Sequence, residues 1–388
     1  MRDLADRVRT LKQSEIRKYS AKCAAMGGVN LSQGVCDQPA PDAVKQAAKA
    51  AIDADHATYT HMRGIAALRQ VIAEKMLRFN GIAADAETEI VVTVGTAGAF
   101  AATVLAVLNP GDEVVVFSPF YSYHVNVLKL FGAVVRFVDT RPPDWAFTKG
   151  AMESAIGERT RMILVNTPAN PSGKVFSEDE LRLVVEAATR HDLLIVTDEI
   201  YEYITYGRAH VSAARMPGGA ARTVTISGAS KTYAVTGWRV GYAIAPAALA
   251  EKIAVVSDQL YICSPAPLQH GIVAGMHLSE DYYRRMQRDY RVKRDLLADT
   301  LRACGFEPYI PEGSYYMLAG FEPGRYRDDT HAAESILDEV GVATVPGSAF
   351  FANPDDGRCQ LRFCYAKKMA DLEEACRRLT RLRVTVRS

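Results

Sequence analysis

The sequence predicts an α/β fold in which a mostly parallel sheet of seven strands lies between helices. Short apolar runs alternate with longer amphipathic stretches, and glycine and proline separate them along the whole chain. The run from Leu193 to Thr197 has the continuous apolar character of a strand that is buried on both faces. Strand–helix alternation of this kind is typical of a parallel sheet covered by helices.

The sheet strands are predicted in chain order, separated by turns and helices. They are residues 89–94, 113–117, 134–138, 161–165, 193–197, 223–226 and 239–244. After the first strand, a glycine-containing turn is predicted, followed by a helix from about Gly98 to Leu108. Another helix is predicted from Ser177 to His191, because Ser177 and Glu180 form a capping-box pattern.

The chain is predicted to form two domains. The large domain comprises residues 45–285, and a smaller α+β domain is built from residues 1–44 and 286–388. A long arginine-rich helix is predicted at residues 281–303, ending before Gly305. Ligands of open α/β sheets bind outside the carboxyl ends of the strands, so the functional residues are expected there.

Composition excludes several classes of protein. The chain has 388 residues, 48% of them hydrophobic and 23% charged, with a net charge of +1, which is typical of a globular protein and not of a disordered one. The balanced charge argues against nucleic-acid binding and against a basic membrane-binding surface. The 7 cysteines form no CxxC pair, so neither a metal site nor a disulfide framework is predicted. Without a signal-like or membrane-spanning segment, the expected location is the cytoplasm.

The most informative segment is residues 227–241, with the sequence SGASKTYAVTGWRVG. Lys231 follows a turn of small residues directly after a predicted strand, and Arg239 lies eight residues further on. A single lysine in such a position is usually a surface charge, but the whole segment is long and specific. It resembles the lysine segment of the class I/II aminotransferases, which are pyridoxal-phosphate-dependent enzymes of fold type I.

Other segments resemble motifs of the same family, in the family's order from about Leu31 to the last helix. Alone, each also fits an ordinary turn, a helix cap, a core tyrosine or a surface arginine. They are Tyr59 to Arg69, Gly95 to Gly98, Pro119 to Tyr121, Asn166 to Gly173, Asp198 to Tyr201, Pro346 to Phe350 and Leu361 to Phe363.

The resemblance implies a role for each matching residue. The catalytic residues would be Lys231, as Schiff-base lysine and general base, with Asp198 on the pyridinium nitrogen and Tyr201 on the phenolic oxygen. Asn170 would contact the same oxygen and the substrate, and Tyr121 would stack on the cofactor ring. The phosphate would be held by Gly95, Thr96, Ala97, Ser230, Arg239 and Tyr59 of a neighbouring subunit in a homodimer. Gly34 and Arg362 would complete the substrate site, with Arg362 gripping the carboxylate.

The sequence departs from the family pattern in three places. His61 stands where the family usually has a proline. Gly228 stands three residues before Lys231, where the family often has a phosphate-binding serine. Ser227 or Ser230 compensates, or one phosphate contact is missing. Cys36-Asp37-Gln38 stands where relatives often carry Glu-Pro-Asp, beside the predicted substrate residue Gly34.

The predicted function is transfer of an amino group from an L-amino acid to a 2-oxo acid, 2-oxoglutarate or pyruvate, by a ping-pong mechanism. The chain looks closest to the aspartate and the kynurenine/glutamine/methionine transaminases. A C–S β-lyase on the same scaffold is the alternative, and a non-enzymatic regulator domain is a remote one. No second cation for a dicarboxylate donor is assignable, whereas Tyr315 and Tyr316 favour an apolar or aromatic donor.

Overall fold

The computed structural model describes Ala5, Val8 and residues 15–382. The strands are β1 (Val29–Asn30), β2 (Ile90–Val94), β3 (Glu113–Ser118), β4 (Val134–Asp139), β5 (Thr160–Asn166), β6 (Leu194–Asp198), β7 (Thr223–Gly228), β8 (Val240–Ile244), β9 (Phe306–Pro308), β10 (Tyr316–Phe321), β11 (Val342–Ala343), β12 (Val345–Pro346) and β13 (Gln360–Cys364). The α-helices are α1 (Glu15–Ala25), α2 (Asp42–Asp53), α3 (Ala66–Lys75), α4 (Gly95–Val107), α5 (Ser122–Leu130), α6 (Lys149–Ser154), α7 (Glu178–Arg190), α8 (Ala229–Thr232), α9 (Ala247–Tyr261), α10 (Ala266–Met276), α11 (Glu280–Ala303), α12 (Asp329–Val340) and α13 (Met369–Leu379). A π-helix, Met76–Asn80, extends α3.

A seven-stranded sheet forms the centre of the protein, in the order β2-β8-β7-β6-β5-β3-β4. Strand β8 runs antiparallel to both of its neighbours, and the other neighbouring pairs are parallel. This confirms the predicted α/β fold and its mostly parallel sheet.

Both faces of the sheet are covered by helices. Alternate residues of a strand point to opposite faces, so successive residues of one strand belong to different hydrophobic clusters. In β3, Val114 and Val116 belong to the hydrophobic cluster that includes residues of α4 and α9. Val115 and Phe117 belong to the cluster that includes residues of α7. The strands are therefore apolar at successive positions, as the sequence pattern predicted.

Two smaller sheets lie outside the central one. Strands β12, β13, β10 and β9 form an antiparallel sheet, and β1 pairs in parallel with β11. The second pairing joins the beginning of the described chain to its last third. The predicted domain division after residue 285 falls inside α11, which is one continuous helix. The domain limits stay a prediction.

Helix limits follow the prediction closely, with one correction. Helix α7 begins at the predicted capping box, with Ser177 and Glu180 bonded reciprocally. Helix α4, in contrast, begins at Gly95 and not at Gly98. Gly95 enters the helix with a φ of +67°, and Thr96 and Ala97 follow it in the first turn of α4, where N–H groups have no partner within the helix. No helix in the described part of the chain is long and apolar enough to cross a membrane.

Candidate active site

A cavity of about 460 Å³ opens at the carboxyl ends of β5, β6 and β7. Every site residue predicted from the sequence lines it except Gly95 and Tyr59. The predicted residues in its wall are Gly34, Thr96, Ala97, Tyr121, Asn170, Asp198, Tyr201, Ser230, Lys231, Arg239 and Arg362. Segments far apart in the sequence thus meet in one cavity, at the edge where ligands of α/β sheets bind.

Three stacked glycines bring the first turn of α4 close to the Arg239 guanidinium. A Cβ on Gly228 would lie 2.9 Å from the Cα of Gly241, and a Cβ on Gly241 would lie 2.5 Å from the amide nitrogen of Thr96. Gly95 has a φ of +67° and would, with a Cβ, collide with the Arg239 guanidinium. The result is a cradle of helix N–H groups and an arginine, which is the chemistry that binds phosphate.

Close packing explains why position 228 is a glycine and not the serine that is frequent in the family. A Cβ at this position would meet two backbone atoms, Gly241 Cα and Val240 O, the second at 3.1 Å. A serine side chain has no space there unless the neighbouring strand moves. Ser227, one of the two residues considered as a replacement, donates instead to Glu202 at 2.6 Å and is absent from the cavity wall. Ser230 lines the cavity.

Lys231 lies in the short helix α8, directly after β7. Its Nζ donates to the carbonyl of Gly34 at 3.2 Å and lies 5.8 Å from the ring centre of Tyr315. Burial lowers the pKa of this amine below its usual value. A lysine with a lowered pKa is more often neutral, and the neutral amine is the nucleophile and the proton acceptor.

Asp198 ends β6 and is held by a residue that the sequence analysis missed. His124 Nε2 lies 2.9 Å from Asp198 Oδ2, and both side chains are buried. The backbone N–H of Ile200 donates to the other carboxylate oxygen at 3.2 Å. His124 is three residues after Tyr121, so it enters the site on the same turn of α5. The spacing of three residues from Tyr121 was the only feature of the sequence that could have indicated His124 as a site residue. It does not identify Asp198 as the partner of His124.

The loop after β5 positions Asn170 through a chain of amide contacts. The Asn166 side chain donates to the backbone carbonyl of Asp198 at 3.0 Å and accepts from the Asn170 N–H at 2.8 Å. The Asn170 side-chain oxygen in turn accepts from Arg362 Nη1 at 3.0 Å. This loop therefore connects the end of β6 with the guanidinium of β13.

Arg362 is almost completely buried, with 1% exposure. Its Nη2 donates to the carbonyl of Ser32 at 2.6 Å, and its guanidinium packs on the rings of Tyr316 and Phe350. Its Nε has no hydrogen-bond partner among the described residues. Arg362 also lines the cavity, and a buried guanidinium that has an unused donor is a ready site for a carboxylate.

Tyr201 is buried beside two other tyrosines. Its hydroxyl donates to the Tyr316 hydroxyl at 3.5 Å, and its ring meets that of Tyr315 edge to face. Burial raises the pKa of Tyr201 well above its usual value, so the hydroxyl stays protonated and is available as a donor.

A buried polar network lies behind Asp198 and was also missed. Lys75 forms an ion pair with Glu202 at 2.6 Å, and Glu199 contacts His210 at 2.8 Å. Asn80, in the π-helix, donates to Glu202 at 2.9 Å. Glu199 and Glu202 follow Asp198 in the chain, so the network fixes the end of the strand that carries it.

Tyr59 lies outside the cavity of its own chain. Its side chain is 78% exposed, the highest value among the large exposed hydrophobic residues of the described chain. This position is compatible with its predicted role in a neighbouring subunit's site, which stays a prediction.

The fold and this cavity define the class of the protein as a pyridoxal-phosphate-dependent aminotransferase of fold type I. The chain belongs to the aminotransferase class I and II family, whose model matches residues 27–379. It is 34% identical over 386 residues to a probable N-succinyldiaminopimelate aminotransferase of Mycobacterium tuberculosis, covering 96% of this chain and 97% of the relative. It is 32% identical over 366 residues to the methionine aminotransferase of Escherichia coli, covering 94% and 95%.

An aspartate aminotransferase of Rhizobium meliloti is 34% identical over 394 residues, covering 97% of this chain and 95% of the relative. The solved structure of the Mycobacterium tuberculosis enzyme superimposes with a TM-score of 0.94 at 34% identity, covering 97% of this chain and 99% of that one. The names of these relatives give different amino donors. The comparisons therefore establish an aminotransferase and leave its donor open.

The residues in the cavity fit the family's cofactor. A doubly charged phosphate matches the cradle of α4 and Arg239, and a ring nitrogen that must stay protonated matches the Asp198 carboxylate. Tyr121 in the cavity wall presents an aromatic surface. Lys231 presents the amine that an aldehyde requires.

Proposed function

We propose that this aminotransferase moves the amino group of an L-amino acid to 2-oxoglutarate or pyruvate in two half-reactions at one site. The observation that carries the proposal is the joint position of Lys231 and Arg362 on one cavity. One supplies an amine with a lowered pKa, and the other supplies an unused guanidinium donor. Because donor and acceptor use the same site in turn, we expect ping-pong kinetics.

Each cavity residue has a proposed task. The cofactor supplies an electron sink for the Cα carbanion of the substrate. Lys231 Nζ accepts the Cα proton of the substrate as general base. Asp198, oriented by His124, holds a proton on the ring nitrogen by its negative charge. Tyr201 and Asn170 donate to the phenolic oxygen, and Arg362 binds the substrate carboxylate in a bidentate pair.

The general-base role is tested by Lys231→Ala. We expect this variant to fold and to lose transamination, with Lys252→Ala as a control that removes an exposed lysine. Borohydride reduction of the yellow enzyme should add the pyridoxyl mass to the peptide that contains Lys231. Full activity of Lys231→Ala, or a label on another peptide, would refute the assignment.

The C–S β-lyase alternative predicts different products. We expect amino-acid consumption to require an oxo-acid acceptor in a panel of donors tested with and without 2-oxoglutarate. Release of pyruvate and ammonia without an acceptor would favour the lyase.

We further propose that the enzyme is a cytoplasmic homodimer, with residues 45–285 as its cofactor-binding domain. The support is the exposure of the large apolar side chains Tyr59, Leu260, Tyr261 and Ile262. If Tyr59 serves the partner's phosphate, Lys231→Ala and Tyr59→Phe chains combined in one dimer contain one intact site. Such hybrids should regain activity that neither parent homodimer has. No recovery would place Tyr59 in its own chain's site, and full activity of the Tyr59→Phe homodimer would leave Tyr59 without a role in either site.

A further inference from the structure

The cavity contains more positive charge than the proposed tasks use. Its described wall has three arginines, Arg17, Arg239 and Arg362, together with the Lys231 amine and one carboxylate, Asp198. Asp198 is engaged with His124. Lys231 acts on the substrate Cα, Arg239 belongs to the phosphate cradle, and Arg362 takes the substrate carboxylate. Arg17 has no task.

Arg17 is carried by a helix whose other side is anchored. On α1, Lys18 pairs with Glu334 at 3.3 Å and Lys22 pairs with Asp338 at 2.7 Å, both on α12. Tyr19 and Cys23 of the same helix are in the core, with 1% and 0% exposure. These contacts fix the orientation of α1 and leave Arg17 to face the cavity. Within the described residues, Arg17 forms no ion pair or side-chain hydrogen bond.

The two substrate-side cations lie at different depths. Arg362 is buried, whereas Arg17 is exposed, so one of these two wall residues belongs to the interior and the other to the solvent side of the protein. Its wall also includes Val35, Tyr316 and Phe350, which give an apolar surface for methylene groups. A substrate with one carboxylate on Arg362 would direct the far end of its chain towards the open side.

We propose that Arg17 binds the distal carboxylate of a dicarboxylic substrate, such as 2-oxoglutarate or glutamate. Arginine suits this task because its planar guanidinium matches a carboxylate bidentately and stays charged at every physiological pH. The inference rests on the proposed function, since it assumes that the α-carboxylate lies on Arg362. It supplies the second cation that was not assignable from the sequence.

The test compares Arg17→Gln, Arg17→Lys and Lys18→Gln holoenzymes. Steady-state kcat/KM is measured for 2-oxoglutarate and for the best monocarboxylic oxo acid of the acceptor panel. In Arg17→Gln, we expect the ratio of these two values to fall at least about tenfold, or 1.4 kcal/mol, and Arg17→Lys should retain part of it. Lys18→Gln removes one charge from the same helix outside the cavity wall, so its ratio should stay within about twofold of the wild type.

A binding measurement gives a readout that is independent of turnover. Calorimetry on the wild-type holoenzyme should show glutarate binding more tightly than butyrate, and Arg17→Gln should remove that preference. High salt should weaken it in the wild type, because the Arg17 contact is solvent-accessible.

Three outcomes would overturn the proposal. They are an unchanged ratio in Arg17→Gln, an equal fall in Lys18→Gln, and equal affinity of the wild type for glutarate and butyrate. Failure of the proposed function differs, because the wild-type enzyme would then transfer no amino group to any acceptor in the panel.

Discussion

Replacement of Lys75 by methionine is expected to destabilise the protein strongly, although Lys75 does not line the cavity. The ammonium group is buried, with 3% exposure of the residue, and it forms a 2.6 Å ion pair with Glu202. Methionine has a similar length and no charge. The variant therefore leaves the Glu202 carboxylate buried without its cation, next to Glu199.

The expected loss follows from this geometry. Removing one partner of a buried ion pair costs about 3–5 kcal/mol, because the remaining charge is uncompensated. For a chain of 388 residues, the entropy of unfolding per residue converts this loss to a decrease in Tm of about 4–6 °C. Removing both charges in Lys75→Met/Glu202→Gln should recover at least about half of the loss, because no unpaired charge remains.

The loss should also depend on pH. Burial alone raises the pKa of the Glu202 carboxyl, but Lys75, His210 and the Ser227 hydroxyl together hold that pKa below its ordinary value. In the wild type, Glu202 therefore contributes stability above its unfolded-state pKa, and this is lost as pH falls through its lower folded-state pKa. Without Lys75, burial dominates and the carboxyl takes up a proton when folded. The variant should lose more stability at pH 8 than at pH 5.

Thermal unfolding of the cofactor-free protein, at one protein concentration and at both pH values, measures these effects. Lys252→Met is the matched control, because Lys252 is exposed and pairs with the exposed Glu251. Its Tm should change by less than about 1 °C. A similarly small change in Lys75→Met, or a loss that is the same at both pH values, would refute the reasoning.

Three further predictions concern the cavity. Gly228→Ser should lower stability by about 1–3 kcal/mol through overpacking and weaken cofactor binding in a fluorescence titration, whereas tighter binding would show that the serine reaches the phosphate. His124→Phe should lower kcat by about tenfold or more, because Asp198 loses its orienting contact, and its cofactor absorbance should titrate at a different pH. An unaltered spectrum and rate would remove His124 from the site. In the cofactor-free protein, the pH midpoint for acylation of Lys231, followed by mass spectrometry, should lie below that of a lysine in a short unstructured peptide, and equal midpoints would contradict the lowered pKa of Lys231.

The sequence predicted well those features that depend on local pattern. Buried strands such as Leu194–Asp198 are apolar at successive positions, and the capping box at Ser177 marks the start of a helix. The limits of α4 were missed because Gly95 favours a turn in isolation. Gly95 keeps the positive φ of such a turn, at +67°, and Thr96 and Ala97 continue directly into the helix, so the turn and the first residues of α4 coincide.

Site residues were predicted where a motif contains them and missed where only the folded chain brings them together. Asp198 belongs to a motif, but its partner His124 comes from a helix 74 positions earlier. Arg17 and Lys75 could not be predicted for the same reason. Neither belongs to a motif, and a lone arginine or lysine is usually a surface residue. Neither residue type nor spacing identifies the Glu202 side chain as the partner of Lys75.

The contact between Arg362 of β13 and Ser32, two residues after β1, affects the order in which the site can form during synthesis. The Arg362 guanidinium donates to the carbonyl of Ser32, which is 330 positions earlier in the chain. A ribosome adds about 5–20 residues per second, so the carbonyl of Ser32 waits about 15–70 seconds for its partner. In the last part of that interval, after Gly241 has been added, the nascent chain contains Lys231 and the glycine stack but not yet Arg362, the proposed carboxylate-binding residue. Cofactor capture can therefore precede substrate recognition, and the cofactor can be in place before the enzyme is able to bind its first amino acid.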